Sequence, residues 1–355
     1  MTRAWKTLVL TQGIKGWSRY FIEVLQRRKD IELHIVDLSR LHPKFISNFL
    51  VLFNRLYEEE YLKNIVKKYD FDLILNLLYE RLDIYILDSF VNAYYVHVPY
   101  RGGLHPIAYY RPYIGKFINT FLKSYDYHIL NRKNIFVFCN SFTTYISYNR
   151  FNIPGEVVYY PFNYSKFYSD PNKLNIAVSI GVFSRFKLHE VTLKIARLVR
   201  NVKFIIIGAL NDPKYFAYLR KIKPPNVILI PNATEELKVR LLSKAKFYVH
   251  SGRTEGLGIA NLEGMASGAV PIVVDSGAFR EVVTHDIGFR WKTPEEAAEY
   301  IEFLLRHPDI WQRLSNNARR KVRFFSPEMF EKRIEKGLTH LFNIYFQDYN
   351  KCLGD

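Results

Sequence analysis

The chain has 355 residues, with 51 Lys and Arg against 34 Asp and Glu, a formal net charge of +17. Hydrophobic residues make up 48%, enough for packed cores, and the length exceeds one ordinary domain, so two are expected. No apolar run approaches the roughly 18 residues of a membrane span, and the two cysteines, Cys139 and Cys352, argue against a disulfide scaffold and for a reducing, cytoplasmic interior.

The opening MTRAWKTLVLTQG holds a short apolar stretch without a small-residue cleavage site, and reads as a first strand rather than a secretion signal. Apolar runs at 7–11, 32–36, 73–76, 94–97, 136–139, 157–160, 176–180, 203–208, 227–230, 247–250 and 270–274 read as strands. Amphipathic stretches at 17–28, 57–69, 190–199 and 235–244 read as helices between them. This alternation predicts an α/β fold with parallel sheets covered on both faces. Two such sheets in succession fit the length, with a break near Tyr160-Pro161-Phe162-Asn163-Tyr164. In open parallel sheets, ligands sit beyond the carboxyl ends of the strands.

Between 101 and 150 there are seven Lys/Arg and one acid, Asp126, amid many Tyr and Phe. Ile114, Phe117, Ile118, Phe121, Leu122 and Tyr125 fall at helical spacing, so this reads first as a helix with one buried stripe and a basic solvated face. The same segment suits peripheral contact with an anionic membrane surface or an acidic acceptor; nucleic acid is disfavoured.

The densest chemistry lies in SGRTEGLGIANLEGMASGAVPIVVDSGAFRE, from Ser251 to Glu281. Glu255 and Glu263 stand eight positions apart, with Gly256-Leu257-Gly258 and a helix start between them. A strand, a Gly-containing turn and a helix in succession turn backbone N–H groups toward a phosphate. Upstream, Gly181-Val182-Phe183-Ser184-Arg185-Phe186-Lys187 follows another strand and brings two cations to the same kind of place. Gly13 and Gly16 follow the first strand, His97 ends the fourth, and Pro231-Asn232-Ala233 follows the ninth. Thr234 before Glu235-Glu236 is a helix N-cap with acids in the first turn.

Taken together, these segments resemble the retaining glycosyltransferases of family 4, whose signature is two Glu separated by seven residues, then a small-residue helix end and a buried strand. The resemblance implies a GT-B fold: two Rossmann-like parallel-sheet domains facing a cleft, with the C-terminal helix crossing back to the first. On that basis residues 1–163 plus about 327–355 form an acceptor domain, and 164–326 the nucleotide-sugar donor domain. The implied reaction moves a sugar (hexosyl type) from a nucleoside-diphosphate donor to an acceptor hydroxyl of a glycan, lipid or protein, with retention.

Residue roles follow from the same resemblance. Lys187 clamps the donor pyrophosphate. Val182 stands where the family carries Arg, and Arg185, three positions on, is the candidate replacement. Glu255 contacts a hydroxyl of the donor sugar, Glu263 accepts from the ribose hydroxyls, and the backbone N–H groups of Leu257, Gly258, Ile259 and Ala260 meet the sugar and β-phosphate. His97 donates to a sugar hydroxyl, Gly13 belongs to the loop facing the substrates, and Pro231 walls the base. No cofactor and no metal are expected, cationic side chains taking the metal's place, and the leaving phosphate itself takes the acceptor proton. Two other readings stand beside this one: a nucleotide-sugar or nucleic-acid binding protein without turnover, and a glycoside hydrolase using Glu255 and Glu263, which has no need of the adjacent phosphate-type turn.

Overall fold

A computed structural model describes residues 4–11, 17–38, 62, 64–65, 68–69, 71–77, 91–96, 134–253 and 256–346. The chain divides into two compact units, Met1–Tyr160 with Phe330–Asp355, and Pro161–Met329.

The first unit holds β1 (Trp5–Thr11), β2 (Ile31–Asp37), β3 (Leu73–Asn76), β4 (Val91–Val96), β5 (Ile135–Cys139) and β6 (Gly155–Val157). They form one parallel sheet in the order β2-β1-β3-β4-β5-β6. Every residue of β3 and β5 is buried, which is why these strands read as continuous apolar runs rather than as an alternation. One face of the sheet is covered by α1 (Trp17–Arg27) and by the C-terminal helix Pro327–Tyr345. Phe21, Ile22 and Leu25 of α1 pack with Phe330, Ile334, Leu338 and Leu341 against Val9, Leu75, Tyr95 and Phe138. Ion pairs fix the C-terminal helix in place: Glu331 meets Arg27 at 2.8 Å, and Glu156 of β6 meets His340 at 2.9 Å and Lys336 at 3.2 Å. On the far side of the ladder, α2 (Phe142–Asn149) begins at Ser141, whose Oγ accepts from the Thr144 N–H at 3.1 Å.

The second unit repeats the plan with β7 (Leu174–Ile180), β8 (Lys203–Gly208), β9 (Val227–Pro231), β10 (Ala245–His250), β11 (Val270–Val274) and β12 (Phe289–Trp291), parallel in the order β12-β11-β10-β7-β8-β9. Its helices are α3 (His189–Leu198), α4 (Pro213–Ile222), α5 (Glu235–Lys244), α6 (Ile259–Ala266), α7 (Phe279–Val282), α8 (Pro294–Arg306) and α9 (Pro308–Lys321). As expected, Thr234 caps α5, its Oγ1 accepting from the Leu237 N–H at 3.2 Å. The chain builds outward from β7 through β8 to β9, then returns to place β10 on the other side of β7. The strand order therefore reverses between β7 and β10, the point where such sheets leave a crevice beyond their carboxyl ends.

The expected strands all occur, with two differences and one addition. The run at 157–160 contributes only Val157, the strand being Gly155–Val157. Gly and Glu are weak strand formers, yet Gly155 is needed there: a Cβ on it would stand 2.3 Å from the Val137 carbonyl oxygen. Of the run at 94–97, residues 94–96 end a strand that starts at Val91, and residue 97 lies outside the described residues. β12 was not expected; it is three residues long and carries no distinctive pattern. Of the helix expected at 57–69, the described residues 62, 64, 65 and 68 are helical.

Close packing at the crevice depends on Gly264, in the middle of α6. A Cβ there would stand 2.7 Å from Tyr248 Cβ and 2.8 Å from its Cγ, and Tyr248 is fully buried in β10. Gly264→Ala therefore forces α6 off the sheet, and overpacking of this kind costs about 1–3 kcal/mol, more than the ~1 kcal/mol that Ala gains over Gly in a helix. Urea unfolding should show a lowered midpoint; an unchanged or raised midpoint would mean that the helix does not depend on this approach.

Candidate functional site

Two loops meet at the reversal point. The first, after β7, runs from Gly181 to Leu188. Its start is bonded to the edge of β8, with Gly181 N–H donating to Ile207 O at 2.9 Å and Phe183 N–H to Ala209 O at 2.8 Å. Phe183 is fully buried and anchors the loop against His189 and Phe216. The loop then closes in a single 3-10 turn, Arg185–Lys187, and ends at Leu188, whose left-handed φ of 53° starts α3. The Lys187 stem folds back over Gly181: a Cβ on Gly181 would touch Lys187 Cδ at 3.4 Å. Arg185 points elsewhere, its guanidinium 5.7 Å from the centre of the Tyr215 ring.

The second loop follows β10, and its first residue holds the other in position. Ser251 is buried; its Oγ lies 2.9 Å from the Leu188 carbonyl oxygen and 3.2 Å from that of Lys187, with the Thr192 hydroxyl at 3.0 Å. The backbone that carries Lys187 is thus tied across the strand reversal to the end of β10. Sequence reading passed over Ser251 and Thr192, because a buried hydroxyl acting on a residue more than sixty positions away leaves no local pattern. The one available signal was a polar residue directly after a buried strand.

His189 seals the same loop from below. Its Nε2 donates to the Val182 carbonyl oxygen at 3.1 Å, and its backbone N–H donates to the Tyr215 hydroxyl at 3.0 Å. Tyr215 in turn donates to the Glu190 carboxylate. Burial, aided by nearby His250, lowers the His189 pKa to about 4, against the pull of the Val182 carbonyl. The ring is therefore neutral near pH 7.

At the far end of the second loop, α6 begins at Gly258, which has φ of +77° and provides no side-chain cap. A Cβ on Gly258 would stand 2.6 Å from Phe279 Cε1, so both backbone conformation and contact require glycine. Leu257 is buried beside it, and Ile259 and Ala260 open the helix, half-exposed. An uncapped helix start directs backbone N–H groups and the positive end of the dipole outward.

Glu263, one turn in, is nearly buried and faces α5. Lys238 Nζ meets its Oε1 at 2.7 Å and also meets Glu235 at 2.8 Å, while Lys166 meets Glu235 at 2.5 Å. Burial raises the Glu263 pKa and Lys238 opposes that rise. Burial alone would lower the Lys238 pKa, but its two carboxylate partners hold it above the ordinary value. Lys238 was another residue missed in the sequence, lying twenty-five positions before its partner.

Pro231 ends β9 opposite Gly208. The turn after it is fastened to the turn after β8: Asn232 N–H donates to Gly208 O at 2.8 Å, and Leu210 N–H donates to Asn232 Oδ1 at 3.0 Å. Gly13, His97, Glu255 and most of the basic 101–150 segment (101–133) lie outside the described residues. The structure thus gathers Lys187, Gly181 and Ser251 on one side of the reversal and the Leu257–Ala260 turn on the other. Glu263 pairs with Lys238, and Arg185 stands on Tyr215.

One triplet bears on the expectation of no metal. Asp70-Phe71-Asp72 spells Asp-x-Asp. Asp72 accepts from the Lys6 N–H at 2.9 Å, and it sits at the amino end of β3, the opposite edge from the ligand-binding ends of the strands.

Comparison with known proteins places this architecture. Residues 163–321 match the family model of glycosyl transferases group 1. A glycosyltransferase from Rickettsia africae ESF-5 has a TM-score of 0.69 at 17% identity, covering 97% of this chain and 99% of that one. Anabaena Alr3699/HepE in complex with UDP-glucose has a TM-score of 0.63 at 15% identity, covering 94% and 99%. The fold is therefore GT-B, as the sequence implied. The Dictyostelium discoideum GDP-Man:Man(3)GlcNAc(2)-PP-Dol alpha-1,2-mannosyltransferase is 26% identical over 210 residues, 51% of this chain and 40% of that protein. The chain spans less than half the length of the curated relatives it matches.

Neutral, buried His189 gives this loop a pH signature. Its folded pKa lies below the unfolded value, so the unfolded chain takes up the proton first. The stabilisation is complete above about pH 6.5 and is lost as the pH falls toward 4, by on the order of 3 kcal/mol. His189→Gln should flatten the dependence of stability on pH across that window; an identical slope in both proteins would show that the ring is not held neutral.

Proposed function

We propose that this chain is a retaining glycosyltransferase that moves a sugar from a nucleoside-diphosphate donor to an acceptor hydroxyl. The observation that carries the reading is the reversal point of the second unit, inside the stretch that matches the group 1 model. There the loop bearing Lys187 and the uncapped start of α6 follow adjacent strands. Diphosphate departure builds negative charge, and a fixed ammonium together with a helix N-terminus stabilises charge that develops in the transition state.

Each part then has a task. Lys187 neutralises the departing diphosphate, and Arg185, which stands on the Tyr215 ring, has to leave that ring to supply further positive charge where Val182 replaces the family's Arg. The N–H groups of Leu257, Gly258, Ile259 and Ala260 receive the β-phosphate and the sugar. Glu263 accepts from the ribose hydroxyls, which suits a carboxylate and not a neutral acid; Lys238 favours the charged form against the effect of burial. Glu255 and His97 hold the donor sugar, and Gly13 and Pro231 bound the substrate loop and the base. The leaving phosphate takes the acceptor proton, so no side chain is assigned as general base and no metal is assigned to the reaction.

The acceptor is a glycan, lipid or protein hydroxyl. A cytoplasmic location with peripheral attachment through the basic 101–150 segment fits the charge. Among the described residues no helix is long and apolar enough to cross a membrane. One relative is named for GDP-Man and one solved structure is a complex with UDP-glucose, so both bases belong in the donor trial. Val182 favours one other reading, binding without turnover.

A panel of UDP-, GDP- and ADP-sugars should contain one donor that raises the melting temperature and supports transfer. With that donor, Lys187→Ala should lower kcat roughly 100-fold with little change in donor affinity. Glu263→Ala should weaken donor binding roughly tenfold by removing charged hydrogen bonds. Unchanged affinity in the second variant would contradict the ribose contact. Calorimetric binding of a nucleoside diphosphate without transfer to any acceptor would favour the binding protein.

A further inference from the structure

The second unit has another charged concavity at the opposite edge of its sheet. A cleft of about 740 Å³ is lined on one side by α9 and the 3-10 turn Val322–Phe325, and on the other by Tyr164, Phe167 and Ala266. Ala266 ends α6, so this edge lies at the amino ends of the strands, the reverse of the Lys187 edge. Arg313, Asn316, Arg320 and Arg323 follow one another at intervals of three and four residues, which puts them on one helical stripe. Arg319 lies on the adjoining stripe. Asp309 is the one acid among the lining residues.

Three features separate this from an ordinary solvated face. First, the signs are segregated: α8, immediately before, carries Glu295, Glu296, Glu299 and Glu302, yet among the described residues no carboxylate pairs with Arg313, Arg319, Arg320 or Arg323. Second, the helix is rigidly mounted. Trp311 Nε1 donates to Lys246 O at 3.0 Å, Ser315 Oγ to Gly268 O at 2.7 Å, and Asn317 Nδ2 to Asp286 O at 2.6 Å. Arg320 is braced in turn on Asn317 Oδ1. Third, a buried lysine stands behind the wall. Lys173 donates to Ser267 O at 2.5 Å, and burial, with Arg319 nearby, lowers its pKa to about 7 against the opposing pull of Asp170. Arg319 is thus close enough to act on the charge of a side chain beneath the cleft.

We infer that this cleft is a second anion site, taking a ligand with two or more clustered phosphate groups, separate from the proposed donor site. Guanidinium groups match phosphate in pairs of hydrogen bonds, and the volume is that of a small-molecule pocket. From Arg313 to Arg320 the helix rises about 10 Å, the span of a few phosphates and too short to follow a nucleic-acid backbone.

The test uses the full chain and inorganic tripolyphosphate at physiological salt, followed by calorimetry. Wild type should bind, and Arg319→Ala/Arg323→Ala should bind roughly tenfold more weakly or worse, the equivalent of one lost charged contact. Asn316→Asp, which sets a carboxylate inside the stripe, should do the same without truncating a side chain. Saturating nucleoside diphosphate, which fills the proposed donor site, should leave this tripolyphosphate binding in place. A second arm uses phosphatidylcholine vesicles with and without phosphatidylinositol bisphosphate. Tripolyphosphate binding alone assigns a soluble ligand, and vesicle association lost in the same variants assigns a lipid headgroup. Equal binding by wild type and both variants would overturn the inference. So would loss of tripolyphosphate binding once nucleoside diphosphate is saturating, or tighter binding of an RNA 20-mer than of either phosphate probe.

Discussion

The hydroxyl of Ser251 is the contact on which the candidate site depends. Strand order reverses between β7 and β10, so nothing in the ladder itself fixes the loops that leave those strands. Ser251 joins them, bonded to the carbonyls of Lys187 and Leu188 and to Thr192 on α3. The Ser251 and Thr192 hydroxyls are buried and the two carbonyls partly so; leaving a buried hydroxyl unbonded costs about 1–3 kcal/mol, which favours keeping the loop that carries Lys187 closed. Below it, the neutral ring of His189 satisfies the Val182 carbonyl. On the other side, Gly258 and Gly264 let α6 begin and pack where a side chain would collide.

Much of the fold was legible because burial on both faces leaves a plain trace. Runs such as Leu73–Asn76 and Lys203–Gly208 are strands with the bounds their apolar residues suggest. The failures have the same physical root. Gly155 and Glu156 look unlike a strand, yet the first is fitted to Val137 and the second is occupied by His340 and Lys336. β12 is too short to carry a pattern. At the candidate site, residues whose spacing is local could be read: the Gly-containing turn, Lys187 and Glu263. Residues that act at long range could not. Ser251, Thr192 and Lys238 owe their importance to partners twenty-five to sixty-four positions away.

The charge of the second unit is arranged around its sheet. At the carboxyl ends, the loop bearing Lys187 and the uncapped start of α6 follow adjacent strands. At the amino ends, Arg319 of α9 lies near Lys173. The alternation Lys166–Glu235–Lys238–Glu263, exposed at its first pair and largely covered at its last, is balanced internally. Part of the net +17 of the chain thus gathers in the cleft beside α9, where among the described residues no carboxylate pairs with the arginines.

The central claim is that a diphosphate binds where the β7 and β10 loops meet, with the helix start and Lys187 acting together. Amide hydrogen exchange with and without a saturating nucleoside diphosphate tests it directly. The account predicts new protection in two separate stretches, 181–188 and 256–262, and none along 308–323 at nucleotide concentrations that fill a single site. Protection absent from both stretches, or confined to one of them, would contradict it.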